Sequence, residues 1–169
     1  MKSNVTLIGM PGAGKSTTGI ILAKYLSRGF LDTDVLIQVN RQKTLQKIID
    51  ESGYLTLRKI EEDEILKIHV ENHVIATGGS AVYSSVAMTH LRDISTIVFL
   101  AVDFGTILHR IHNFDTRGIA KAENQTFRDL FDERQILYEK YAEWTIDCSN
   151  MTQEETAEII SKKIAATRC

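Results

Sequence analysis

The sequence is poor in the features that mark secreted, membrane-spanning and nucleic-acid-binding proteins. Its two cysteines, Cys148 and Cys169, have no metal-ligand spacing, and this low count indicates a reduced, cytoplasmic setting. No apolar run is long enough to cross a bilayer, and glycine and proline come too early in "MKSNVTLIGMPG" for a signal peptide. The net charge of -2 provides no basic field for nucleic acid or a membrane surface. We therefore expect a cytoplasmic protein whose partners are neither nucleic acids nor membranes.

Aromatic residues are also scarce, at 7% of the chain. A site that phosphorylates a nucleoside would need aromatic side chains to stack on the base, so this scarcity argues mildly against such an acceptor. The rest of the composition, with 43% hydrophobic and 25% charged residues, is that of an ordinary globular protein. The 169 residues suit a single domain, 1–169, with one core.

Short apolar runs alternate with helical patterns along the chain. Continuous apolar strands separated by helices predict an α/β fold, in which a parallel sheet is covered on both faces to give three layers. The five predicted strands are "NVTLIGM", "GFLDTD", "HVIATGG", "STIVFLAVD" and "WTIDCS", and the long helical pattern after the second strand is broken at Gly53. The polar segment 112–126 lacks periodicity, and a loop of that length predicts a lid or a disordered segment.

The strongest signal is the glycine-rich stretch "GMPGAGKST", which lies between the first strand and the first helix. Gly9, Gly14, Lys15 and Ser16 fit the pattern G-x-x-x-x-G-K-[ST] of a phosphate-binding loop. Bare backbone lets N–H groups converge on phosphate oxygens, and the helix N-terminus adds partial positive charge. Lys15 can reach the outer phosphates, and the Ser16 hydroxyl can bind magnesium. The pattern predicts a nucleoside triphosphate with magnesium, bound by Gly12, Ala13, Gly14, Lys15, Ser16 and Thr17.

Two sets of acidic residues compete for the role of metal ligand. Asp32 and Asp34 follow the second strand, where one carboxylate could serve the water shell of the metal and the other could meet a substrate hydroxyl. Asp103 ends the fourth strand, at the position of an acidic Walker B residue. Helix capping is the alternative role for Asp34 and Asp103, because each precedes a helical pattern. Capping alone explains Asp103 well. It also explains Asp34, but it leaves Asp32 without a role.

Four arginines are candidates for binding anions. Arg134 lies on the apolar stripe of "TFRDLFDERQILYEKYAE", and a guanidinium on the core side must find an anion, either a ligand or an internal carboxylate. Arg58 lies three residues before Glu61, so the two side chains can pair on one helix face. Arg117 lies in the polar segment, one short helix after Arg110. An arginine on a loop suits the charge of a transferring phosphoryl group, although Arg117 taken alone would be a solvated residue.

In this order and context the motifs resemble those of the shikimate kinase family, a branch of the P-loop proteins similar to nucleoside monophosphate kinases. "GMPGAGKST" resembles the Walker A motif of that family, "FLDTD" its D-[ST]-D, and "GYLTLRKIE" its G-E-x-x-F-R-x-x-E. "VIATGGS" is similar to the strand and glycine turn of the shikimate site. "HRIHNFDTRG" resembles the adenine arginine followed by the lid arginine, and "ERQILY" resembles R-x-P-L-Y.

The resemblance covers almost the whole chain and implies both a fold and an activity. The fold would be a P-loop NTPase with strand order 2-3-1-4-5, an acceptor-binding region over about 33–61 and a short lid over about 112–126. The activity would be the ATP-dependent and magnesium-dependent conversion of shikimate to shikimate 3-phosphate in aromatic amino acid biosynthesis. The resemblance also suggests a monomer.

The resemblance implies a role for each candidate residue. Lys15, Ser16 and Asp32 would organise ATP and magnesium, with Lys15 and Arg117 acting catalytically on the phosphates and Arg110 lying against adenine.

On the acceptor side, Asp34 would bind hydroxyls of the acceptor and help to take the proton. Arg58 and Arg134 would clamp its carboxylate, and Gly78 and Gly79 would let its ring approach the backbone.

The sequence departs from the family pattern at four positions. Ser80 stands where the turn has a third glycine and adds a side chain near the acceptor ring, and Gly118 replaces a lid proline and would loosen the lid. Neither change removes a charge that the chemistry needs. Tyr54 stands in place of a common glutamate, and Ile136 stands in place of a proline. Two alternatives stay open. The protein could be a kinase for another small carboxylated alcohol, such as gluconate, or a non-catalytic ATP-binding regulator.

Overall fold

Five parallel strands form one sheet at the centre of the computed structural model, which describes residues 2–112 and 116–167. The strands are β1 (Asn4–Ile8), β2 (Gly29–Asp32), β3 (His73–Ala76), β4 (Ser95–Ala101) and β5 (Trp144–Asp147). Their order is β2-β3-β1-β4-β5, and every pairing is parallel. All five strands predicted from the sequence form, and the order implied by the resemblance is confirmed. The central strand β1 is buried along its length, as expected of a sheet with helices on both faces.

Helices connect the strands in the described ranges. They are α1 (Lys15–Leu26), α2 (Thr33–Arg41), α3 (Leu45–Ser52), α4 (Tyr54–Leu66), α5 (Ser85–Ile94), α6 (Phe104–Arg110), α7 (Phe127–Tyr141) and α8 (Gln153–Thr167), with a 3₁₀ turn at Ala81–Tyr83. The sequence patterns did not predict α5. Its signals are a cap, because Ser84 Oγ accepts from the Ala87 N–H at 3.0 Å, and the buried residues Ala87, Met88 and Leu91. No helix within the described residues is long and apolar enough to cross a membrane.

Capping side chains set where several helices begin. Asp34 does not take the alternative role of capping α2: the cap is Asp32, whose Oδ1 accepts from the N–H groups of Asp34 at 2.9 Å and Val35 at 3.2 Å. Asp34 therefore lies in the first turn of α2, where its side chain is not used for capping. Asp103 does cap α6, accepting from the Thr106 N–H at 3.0 Å.

Two apolar clusters position the functional residues. The larger one surrounds the sheet, and the smaller one comprises Ile37, Ile48, Leu57 and Ala120. The smaller cluster joins α2, α3 and α4, the predicted acceptor-binding region, to a residue of the polar segment 112–126. The part of that segment over residues 113–115 lies outside the described residues, as does Cys169, whereas Cys148 is a buried free thiol.

Candidate functional site

A cleft opens at the carboxyl edge of the sheet, where the segments after β1, β2 and β3 meet. It has a volume of about 780 Å³ when the space open to solvent is included. Its lining joins the phosphate-binding loop, the first turn of α2, the glycine turn after β3, the polar segment and α7. The predicted site residues that line it are Gly12, Gly14, Lys15, Ser16, Thr17, Asp34, Gly78, Gly79, Arg117 and Arg134.

The loop before α1 has the backbone of an anion site. Gly12 and Gly14 lie in the left-handed region, with φ of 85° and 92°. The N-cap of α1 is Gly14, which has no side chain to bond the first N–H groups of the helix, so these groups suit an external anion. Ala13 is buried beneath the loop. Lys15 is 8% exposed, and its Nζ donates to the Gly9 and Met10 carbonyls at 2.7 and 2.8 Å.

Burial lowers the pKa of Lys15 to about 8. The ammonium group is thus already largely desolvated, and its bonds to loop carbonyls hold it beside the cleft. A phosphate group entering the loop would offer this charge a stronger partner than two neutral carbonyls.

Ser16 and Asp32 supply a pair of hard oxygen ligands next to the loop. The Ser16 hydroxyl donates to Asp32 Oδ2 at 2.5 Å, while Asp32 Oδ1 is the cap of α2. Magnesium is commonly held by one or two protein oxygens together with substrate phosphates and water, so this pair fits the ion. Neither Asp32 nor the rival Asp103 is among the lining residues, but Asp32 bonds to Ser16 of the loop, whereas the two oxygens of Asp103 bond to the N–H and hydroxyl of Thr106. The geometry thus favours Asp32 over Asp103.

Two carboxyl groups approach each other at the floor of the cleft. A Cβ built on Gly78 would lie 2.6 Å from Asp34 Oδ1 and would overlap Glu61 Oε1, so a side chain here would have to displace both carboxyl groups. Burial and the neighbouring Asp32 raise the pKa of Asp34 to about 6, against the opposing charges of Lys15 and Arg117. The glycine turn therefore makes room for acidic side chains of the protein, a role that the resemblance did not imply.

Glu61 is a cleft residue that was absent from the predicted site residues. It is 3% exposed and does not pair with Arg58, contrary to the expectation from their spacing. Instead the Ser80 hydroxyl donates a short hydrogen bond to Glu61 Oε2. Ser80 thus directs its hydroxyl to this carboxylate, and burial raises the pKa of Glu61 to about 7. The helix spacing that suggested an exposed pair could not reveal this contact, because Glu61 and Ser80 come together only through the tertiary fold.

We expect Glu61→Gln to raise the free energy of unfolding by about 2 kcal/mol above pH 7. This corresponds to a melting temperature about 4–8 °C higher. The ordinary pKa of this carboxyl is 4.5, so the folded state binds its proton more tightly than the unfolded state does. The stability from that proton is complete below the unfolded pKa and is lost as the pH rises through about 7. Thermal melts should therefore show the variant's advantage shrinking as the pH falls towards 5. Parallel pH dependence of the two proteins would contradict the burial of a titrating Glu61.

Arg134 is fully buried, at 1% exposure, as its position on the apolar stripe predicted. Its Nη2 donates to the Ala120 carbonyl at 2.8 Å, and its Nε has no partner in the described ranges. A Cβ on Gly79 would lie 2.6 Å from Arg134 Nη1, so the second glycine makes room for the guanidinium. Tyr138 holds this turn by donating its hydroxyl to the Gly79 carbonyl at 2.7 Å. Over residues 2–112 and 116–167, Arg134 forms no ion pair with a carboxylate.

The remaining arginines are placed differently from one another. Arg117 is exposed and lines the cleft. Arg58 does not line it: the guanidinium packs on the ring of Tyr83, and its Nη2 lies 3.5 Å from the Ala120 carbonyl at the cleft edge. Arg110 ends α6 outside the lining residues.

Gly118 fixes the polar segment against α3. Its φ is 70°, and its N–H donates to Gln46 Oε1 at 3.1 Å. Proline, the family residue, has a fixed negative φ and no N–H, so it could not take this conformation. Gly118 was expected to loosen the segment, but it makes possible the contact with α3 beside Arg117.

Gly118→Ala is expected to release this contact at a cost of about 1–2 kcal/mol, because alanine is disfavoured at positive φ. Its Cβ would also lie 2.5 Å from Leu45 Cβ. Hydrogen exchange should then be faster at the amides of residues 118 and 120. The control is Gly105→Ala, at a helical position whose nearest atom to the new Cβ is Asp103 Oδ1 at 3.3 Å. Equal exchange in wild type and Gly118→Ala would argue against a docked segment.

Comparisons with known proteins agree with this geometry. The family model described as shikimate kinase matches residues 11–165. The chain is 34% identical to the shikimate kinase of Caldanaerobacter subterraneus over 158 residues, 92% of each chain. The shikimate kinase of Acinetobacter baumannii, solved in complex with shikimate, superposes with a TM-score of 0.91 at 29% identity, covering 99% of this chain and 95% of that one. That of Aquifex aeolicus gives a TM-score of 0.82 at 28% identity, covering 96% of this chain and 98% of that one.

Proposed function

The chain belongs to the shikimate kinase family, and from this membership we propose that it transfers the terminal phosphoryl group of ATP to a hydroxyl of shikimate. One observation of the site indicates an acceptor that bears a carboxylate. A buried guanidinium, Arg134, opens onto the same cleft as the phosphate-binding loop and forms no ion pair within the described residues. A buried arginine needs an anion, and shikimate bears a carboxylate. The site therefore supports shikimate over neutral polyols.

We assign the acceptor side of the reaction to Asp34 and Arg134. Arg134 binds the carboxylate and fixes the ring, so that one hydroxyl faces the phosphate-binding loop. Asp34, with a pKa near 6, accepts the proton of that hydroxyl as its oxygen bonds to phosphorus and the bond to ADP breaks. Gly78 and Gly79 bring the backbone close to both side chains.

We assign the nucleotide side to the loop, Lys15 and Arg117. Main-chain N–H groups of Gly12 to Thr17 bind the phosphates, and Lys15 and Arg117 balance the charge that builds up during transfer. Magnesium, when bound, would supply further positive charge at the phosphates, and Ser16 and Asp32 would hold it.

We assign Arg58 to the acceptor carboxylate and Arg110 to the adenine. The Nη2 atoms of Arg58 and Arg134 approach the same carbonyl, that of Ala120, at 3.5 and 2.8 Å, which places both guanidiniums within reach of one carboxylate. Arg110, at the end of α6, would lie against adenine. We further propose a monomeric, single-domain, cytoplasmic enzyme that acts on small molecules and binds neither nucleic acid nor membranes.

A coupled assay of ADP release tests the assignment directly. It would compare shikimate with gluconate, homoserine and nucleoside monophosphates at saturating MgATP. We expect acceptor-dependent ADP release with shikimate and little above background with the others. A preference for gluconate would indicate a kinase for another carboxylated alcohol, and no acceptor dependence at all would indicate an ATP-binding regulator.

A further inference from the structure

Arg58 is held by aromatic faces and not by a carboxylate. Its guanidinium carbon lies 3.6 Å from the ring centroid of Tyr83 and 5.0 Å from that of Tyr54. Its Nε has no partner, and Arg58 forms no ion pair within the described residues. Contact with a π face stabilises a cation without neutralising it, whereas a salt bridge would leave no charge for a ligand.

Tyr83 is itself fixed between two elements. It ends the 3₁₀ turn that follows the glycine turn, and its hydroxyl donates a short hydrogen bond to Glu133 on α7. The other oxygen of Glu133 accepts from Gln125 Nε2 at 3.3 Å. Glu133 therefore bonds to Tyr83 and Gln125 and forms no ion pair with Arg58 within the described residues, although its charge still favours the charged form of Arg58.

The ring of Tyr83 also lies close to the second guanidinium, since the Arg134 guanidinium carbon is 5.5 Å from its centroid. The positive charges of Arg58 and Arg134 therefore lie near each other, at the Ala120 carbonyl, before an anion binds. Burial and the charge of Arg134 both lower the pKa of Arg58, which reflects the cost of this arrangement. The polarisable ring offsets part of that cost.

We propose that Tyr83, assisted by Tyr54, is a positioning residue that keeps Arg58 unpaired and aimed at the cleft edge for the carboxylate of the acceptor. The inference rests on the proposed function, because it needs an acceptor that carries a carboxylate. Tyr54, the first residue of α4, lies on the same helix as Arg58 and offers it a second aromatic face.

The test is a double-mutant cycle on the full-length enzyme with shikimate as acceptor. We expect Tyr83→Leu to raise the KM for shikimate about tenfold, with kcat and the KM for ATP changed by less than about twofold. Tyr83→Phe keeps the ring, so it should restore most of the wild-type KM. In an Arg58→Met background, Tyr83→Leu should add almost nothing, since the arginine that it positions is gone.

Tyr25→Leu is the matched control, because the Tyr25 hydroxyl also donates to a glutamate, Glu154 at 3.0 Å, on an exposed surface away from the cleft. It should leave all three kinetic constants unchanged. An unchanged KM in Tyr83→Leu, or equal effects with and without Arg58, would overturn the proposal. Wild-type enzyme without shikimate-dependent ADP release would overturn the proposed function instead, and the two failures are therefore distinguishable.

Discussion

Replacing Arg134 with alanine is expected to raise the KM for shikimate about a hundredfold, with the KM for ATP within about twofold of the wild-type value. The guanidinium is buried and forms no ion pair within the described residues, so an acceptor carboxylate would be its main anionic partner. Without it, that carboxylate would keep only Arg58 at the cleft edge, and the loss of its buried partner costs several kcal/mol in a desolvated site. The proposed nucleotide contacts lie on the phosphate-binding loop, so nucleotide binding should be unchanged.

Arg128→Ala is the control for this prediction. Arg128 lies on the same helix but is exposed, and it forms an i,i+4 pair with Asp132 at 2.9 Å. An exposed pair of this kind contributes little, so neither KM should change. If Arg134→Ala raised both KM values equally, the damage would be to the fold of the site, and the carboxylate clamp would be rejected.

Replacing Asp34 with asparagine is expected to lower kcat by about a hundredfold to ten-thousandfold while nucleotide binding is kept. Asparagine has nearly the same shape and can still hydrogen-bond a hydroxyl, but it cannot take the proton. The pKa of Asp34, about 6, is suited to proton transfer near neutral pH, so activity should fall as the pH drops below that value. The measurements are steady-state turnover and equilibrium binding of a nucleotide analogue.

Asp103→Asn is the matched control for Asp34→Asn, because it also removes the charge of an aspartate that follows a strand. Asparagine caps helices as well as aspartate does, so this variant should keep both its stability and its kcat. A fall in its magnesium-dependent turnover would place the metal at Asp103 and away from Asp32. Unchanged turnover in Asp34→Asn would remove Asp34 from the chemistry.

Much of the fold follows from local patterns. The five apolar runs formed the predicted strands, and a helix, α1, follows the glycine-rich stretch as predicted. These elements could be predicted because their signals are continuous in the chain. α5 was missed although its signals are also local: half of its residues are apolar, and Ser84 caps it.

The site was predictable where a motif fixes the geometry and unpredictable where the tertiary fold does. The phosphate-binding loop and the buried Arg134 lie where the motif and the helical stripe place them. The spacing of Arg58 and Glu61 suggested a pair, but burial turned Glu61 towards Ser80 and Arg58 towards Tyr83. These partners come from elements distant in sequence, so no local spacing contains them.

The role of Gly118 could not be predicted either, because it also depends on contacts with residues distant in sequence. Its substitution for proline suggested looseness when considered alone, whereas its positive φ and its bond to Gln46 bring the polar segment onto α3. A glycine can loosen a chain or permit a close approach, and only its neighbours decide which.

The most direct test of the account is a crystal structure of the protein with ADP and shikimate bound together. We expect the shikimate carboxylate to lie within hydrogen-bonding distance of the Arg134 guanidinium, and one ring hydroxyl to lie between Asp34 and the phosphate-binding loop. Shikimate bound away from this cleft, or an Arg134 paired with a carboxylate of the protein beside an occupied nucleotide site, would contradict it.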